Sequence, residues 1–104
     1  MNGVSIEFIQ AMKDRMAVSE AKYGPIQDAY PYKVDAMESM EQRVRRYHET
    51  GNTEWLVDAA NFLMIEFQLP RHPKAHFRAT SSHESPGRVS DQEGVTNKDN
   101  SSLG

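Results

Sequence analysis

The stretch from Thr53 to Phe67, TEWLVDAANFLMIEF, constrains this chain more than any other. Trp55, Leu56, Val57, Phe62, Leu63, Met64, Ile65 and Phe67 leave almost no face of a helix for water, so the pattern predicts a buried helix. Into it are set Glu54, Asp58 and Asn61, spaced i, i+4, i+7 and therefore stacked along one side. A carboxylate buried without a partner costs several kcal/mol, roughly, so it is paired or coordinates a metal. The element that faces this stripe decides what the protein can do.

Around that helix the sequence predicts an all-α chain of about three helices. The first runs from about Ser5, its N-cap, to Tyr23, where Gly24-Pro25 stops it, with Ile9, Met12 and Met16 on one face and Phe8 beside them. The second is expected from about Pro31 to Glu49, with Val34, Met37, Met40, Val44 and Tyr47 as its apolar stripe and Glu38, Glu41, Arg45 and His48 bordering it. Gly51-Asn52 ends it, and Asn52 or Thr53 caps the third, so helices two and three form an antiparallel hairpin. Residues 1–70 make the helical domain, 71–79 (RHPKAHFRA) a basic connector, and 80–104 a tail too poor in apolar surface to order itself. A third helix apolar nearly all round cannot be covered by two neighbours of one chain, so a homodimer or larger homo-oligomer is expected to complete the bundle.

Composition removes several classes of function. A net charge of −3 argues against broad electrostatic nucleic-acid binding, and the absence of cysteine removes disulfides and thiolate zinc sites. The N-terminus lacks the apolar run of a signal peptide, and no segment approaches the roughly 20 apolar residues of a membrane span. A cytoplasmic protein with no membrane partner is expected. No Gly-rich phosphate loop or Ser-His-Asp arrangement is visible, and Pro73 argues against a helical His72/His76 metal pair.

The acidic residues carry the chemistry. If the hairpin packs on its apolar stripes, Glu38 and Glu41 on helix two can face Glu54 and Asp58 on helix three. Carboxylates converging there would repel without a cation, and oxygen ligands of this kind suit Mg²⁺ or Mn²⁺, ions commonly used on phosphate substrates. Plainer readings stand beside this one. Glu41 can pair with Arg45, Glu54 can favour the positive end of its helix, and Asn61 can be a buried amide bonded to a backbone carbonyl. Tyr23, Tyr30 and Tyr32 around the first loop can stack on a nucleobase or simply pack the loop.

AKYG at the end of helix one, MESMEQ in helix two, the turn GNTEW and then LVDAANFLMIEF together resemble the MazG-like all-α nucleoside triphosphate pyrophosphohydrolases, in particular small phage-type members. The resemblance covers about residues 8–69. It implies a helical fold and Mg²⁺-dependent cleavage of a nucleoside triphosphate between its α and β phosphates. The family pattern is EExxE on one helix and ExxD on the next. Its second and third acids fall on Glu38 and Glu41, and its aspartate on Asp58. The first acid is replaced by Met37, and the glutamate of ExxD aligns with Trp55, with Glu54 adjacent.

The resemblance therefore implies Glu38, Glu41 and Asp58 as metal ligands and Glu41 or Glu54 as the residue that orients or deprotonates the attacking water. Asn61, Lys22 and Arg15 become substrate contacts, although a solvated helix face is the plainer reading of Lys22 and Arg15. The alternative function is a non-catalytic helical interaction protein that keeps the scaffold and binds a host protein or sequesters a nucleotide signal.

Overall fold

A computed structural model describes residues 3–30, 32–81 and 83–84. Among them the chain is all-helical and contains no strand: α1 spans Ile6–Tyr23, a 3-10 turn Ile26–Asp28, α2 Ala36–Thr50 and α3 Glu54–Gln68. Most of the expected disordered tail, from residue 85 onward, lies outside the described residues. No helix among the described residues is long and apolar enough to cross a membrane.

Local chemistry sets each boundary. Ser5 caps α1 by accepting a hydrogen bond from the Phe8 N–H at 3.0 Å. Asp35 does the same for α2, accepting from the Glu38 N–H at 3.1 Å, so this helix begins at Ala36 and not at the expected Pro31. Gly51 closes α2 in the left-handed region (φ 74°), a conformation an L side chain resists, and its N–H donates to the Tyr47 carbonyl. At the start of α3 the capping side chain is that of Asn52, which accepts from the Glu54 N–H at 3.0 Å, while Thr53 makes no side-chain cap.

The helices α2 and α3 form the expected antiparallel pair. The Arg46 guanidinium lies 6.0 Å from the Trp55 ring near the hairpin turn, and Arg43, one turn earlier, lies 5.0 Å from Phe62. Farther from the turn, Arg71 pairs with Asp35 at 3.1 Å, and its backbone N–H donates to Glu66. The start of the connector is thereby tied to the N-terminus of α2. Phe77 returns edge-on to Phe67 at 6.4 Å.

α1 packs mainly on α3. The core between the helices is thin, with Ala36, Val57, Ala59 and Ile65 the buried apolar residues among those described. The third helix is less enclosed than its composition suggests, because Leu63 and Phe67 stand exposed on its outer side. No residue of α1 is buried.

Candidate functional site

Glu54, Asp58 and Asn61 do share one side of α3, and the element facing them is α1. Arg15 Nε donates to Asp58 Oδ1 at 3.2 Å, and Arg15 Nη1 lies 3.4 Å from Glu54 Oε2. One turn along, Asn61 Nδ2 donates to the Met12 carbonyl at 3.1 Å. A single guanidinium thus answers both acids, and a backbone carbonyl answers half of the amide. A guanidinium suits this role because its planar fork presents several N–H groups at fixed angles.

Glu38 and Glu41 are not brought to this stripe. The inward side of α2 is marked by Ala36, Ser39, Met40, Arg43 and Tyr47, whereas Met37 is exposed. The 3.6-residue period then turns Glu38 to the far side of the helix and Glu41 well away from α3. Both are exposed, and neither makes a side-chain hydrogen bond or ion pair among the described residues. The Glu41–Arg45 pair of the plainer reading is not among the ion pairs of the described residues either. No three His, Asp or Glu side chains among the described residues stand together so as to hold a metal ion. The set Glu38, Glu41 and Asp58 is therefore not assembled, and Glu41 and Glu54 do not meet at a common centre. As placed, these residues do not fit a divalent cation: two face solvent, and the other acids already share Arg15.

What the three helices do build is a cleft of about 550 Å³. α1 and α2 each pack on α3, and the cleft is lined by Asp58, Asn61, Phe62 and Ile65 of α3 and by Ala29, Tyr30, Lys33 and Val34 from the segment between α1 and α2. Arg15 and Lys22 enter it from α1, Lys33 from the loop and Arg43 from α2. Those four cations face one carboxylate, Asp58, within a chain whose overall formal charge is −3.

Aromatic side chains line the same space. Tyr30 meets Phe62 edge-on at 6.2 Å, and Tyr23 lies beside Lys22. Burial pushes the Tyr30 phenol above its ordinary value near 10.0, partly offset by the positive charge of Arg43, so it stays protonated at neutral pH.

Among the described residues, two buried polar atoms of the lining residues have no partner. Asn61 is 6 % exposed, and its Oδ1 accepts no hydrogen bond. The Arg43 Nε–H is buried and likewise unpaired. Lys33 and Arg43 are charged lining residues that the acid-centred sequence reading passes over. For Arg43 the signal is present, since it stands at helical spacing between Ala36, Met40 and Tyr47.

The fold and cleft define a small three-helix protein with a cationic, aromatic-lined cavity. Comparison with protein-family models, curated proteins and solved structures finds no match to this chain.

Proposed function

We propose that this chain is a nucleotide-binding helical protein whose cleft takes a nucleoside triphosphate. The observation that carries this reading is the gathering of Arg15, Lys22, Lys33 and Arg43 with Tyr23, Tyr30 and Phe62 in one cavity of an acidic chain. Positive charge and π-surface in the same space match a ligand with a polyanionic end and a flat aromatic end. The volume falls in the range used for small-molecule ligands. The resemblance of residues 8–69 to MazG-like enzymes supports the same ligand class.

A metal-dependent cleavage step is not part of this reading. Arg15 supplies the counter-charge for Asp58 and Glu54, and Glu38 and Glu41 face solvent. Binding is expected without Mg²⁺ or Mn²⁺, carried by the side chains named above. The test is isothermal titration with nucleoside triphosphates in EDTA, followed by a pyrophosphate-release assay with Mg²⁺. Binding in EDTA supports the reading. Pyrophosphate release abolished by Glu41→Gln would instead restore the hydrolase.

A second copy of the chain is proposed as its other partner. Leu63 and Phe67 are 47 % and 72 % exposed at i, i+4 on the outer side of α3, and Ile6 on α1 is 74 % exposed. With so few buried apolar residues per chain, covering these side chains offers stability that the isolated bundle lacks.

A further inference from the structure

Arg43 is the least exposed of the described arginines: it is half-buried, whereas Arg15, Arg45, Arg46, Arg71 and Arg78 are exposed. Arg15, Arg46, Arg71 and Arg78 each pair with an acid, and Arg43 pairs with none among the described residues. That order is the reverse of what solvation favours, because a charge withdrawn from water needs a partner more than an exposed one does. Its guanidinium has the Phe62 ring at 5.0 Å and a long contact from Nη1 to Gln42 Oε1 at 3.4 Å. The one carboxylate in the cleft lining, Asp58, already accepts from Arg15. No described residue supplies the counter-charge, and the cleft that Arg43 lines is open to an anion from solution. Arg43 Nε is sealed from solvent, whereas Nη2 makes no hydrogen bond and keeps accessible surface, so Nη2 is the atom a ligand reaches.

Two neutral donors accompany it. Ser39 stands one turn earlier on the same side of α2, at i, i+4, and lines the cleft. Tyr30 meets the Phe62 ring edge-on at 6.2 Å, near enough for the Arg43 charge to act on its phenol, which is protonated at neutral pH. Both hydroxyls are without a hydrogen bond among the described residues, and neither is sealed from solvent. A guanidinium with two hydroxyl donors and no acid of its own matches the several oxygens of a phosphoryl group. We propose that Arg43, Ser39 and Tyr30 seat a phosphoryl group of the ligand on the α2 side of the cleft. This rests on the nucleotide-binding reading above and adds to it which side chains hold the phosphate end.

The experiment is isothermal titration of the full chain, in EDTA, with inorganic tripolyphosphate and with the four ribonucleoside triphosphates. Arg43→Met is expected to weaken both kinds of probe about tenfold or more, and Ser39→Ala and Tyr30→Phe each about threefold to tenfold, the loss of one hydrogen bond. Arg45→Met removes an exposed arginine outside the cleft lining and is expected to change neither. Should Arg43→Met fail to fold, Arg43→Lys takes its place; it keeps the charge, loses the planar fork and is expected to bind both probes more weakly than the parent. Equal binding by the parent and the Arg43 variant overturns the phosphoryl seat while nucleotide binding stands. Loss with Arg43 but none with Ser39→Ala or Tyr30→Phe overturns the three-residue seat and leaves Arg43 a bare charge. If tripolyphosphate binds through all three residues and no nucleotide binds, the seat stands and the nucleotide reading falls. If nothing binds the unaltered protein, both readings fall.

Discussion

Arg15 on α1 holds Asp58 on α3 at 3.2 Å, across 43 residues of sequence, and the same guanidinium reaches Glu54 at 3.4 Å. This contact decides how the acidic stripe of α3 behaves. It places one positive charge between the two acids, anchors a helix that buries no residue of its own, and sets one cation at the wall of the cleft.

The Asp58 side chain is only 17 % exposed, so removing its partner is costly. Arg15→Met is expected to destabilise the fold by about 1–2 kcal/mol, less than a deeply buried pair because Arg15 itself is half exposed. A double-mutant cycle of Arg15→Met with Asp58→Asn, followed by urea denaturation, should give a coupling of about 1 kcal/mol. The cycle with Glu54→Gln should give a few tenths, as expected for an exposed pair. Coupling near zero for Asp58 would contradict the pairing.

Asn61→Asp replaces the donor on the Met12 carbonyl with an acceptor and buries a charge. A loss of about 2–4 kcal/mol is expected, larger than for Asn61→Leu, which removes the hydrogen bond and buries no charge. Thermal unfolding of the two variants checks the order. Equal loss would mean that the amide is not bonded as described.

These residues also mark what can be read before a structure is known. The Ser5 cap and the Gly24 and Gly51 stops are local: a hydroxyl two or three residues from an N–H, or a backbone in the left-handed region, needs no distant partner. The stripe Glu54–Asp58–Asn61 is legible for the same reason, because helical period alone puts it on one side. Which helix would meet it is not local. Reading the α2 stripe through Met37 turns Glu38 and Glu41 toward α3, whereas the inward side runs through Ala36, Met40, Arg43 and Tyr47 and turns them away. A shift of one position, about 100° around a helix, separates an acidic seam from a cationic cleft. Among the plainer readings, a buried Asn61 amide bonded to a backbone carbonyl is observed, and Glu54 lies in the first turn of α3.

Burial pushes the Tyr30 phenol up. In a tyrosinate absorbance titration Tyr30 should ionise above its ordinary value near 10.0, and Tyr30→Phe should remove that step. Its native value lies above the unfolded one, so the native state holds the proton more tightly. The associated stability is present in full below about pH 10 and is lost as pH rises through the native value. A stability curve for Tyr30→Phe that falls as steeply above pH 10 as the parent's would contradict this.

If a second copy covers the outer side of α3, the protein sediments as a dimer or larger. Phe67→Lys, at a position 72 % exposed within the single chain, should then shift it toward monomer with little change in helical signal. A monomeric parent protein at tens of micromolar would remove the second-copy proposal.

The most direct measurement for the account as a whole is titration of the protein with nucleoside triphosphates in EDTA, repeated with Lys22→Glu/Lys33→Glu. The account predicts metal-independent binding that weakens as salt is raised and drops about tenfold or more in the charge-reversed variant. Absence of nucleotide binding in EDTA, or binding indifferent to both substitutions, would contradict it.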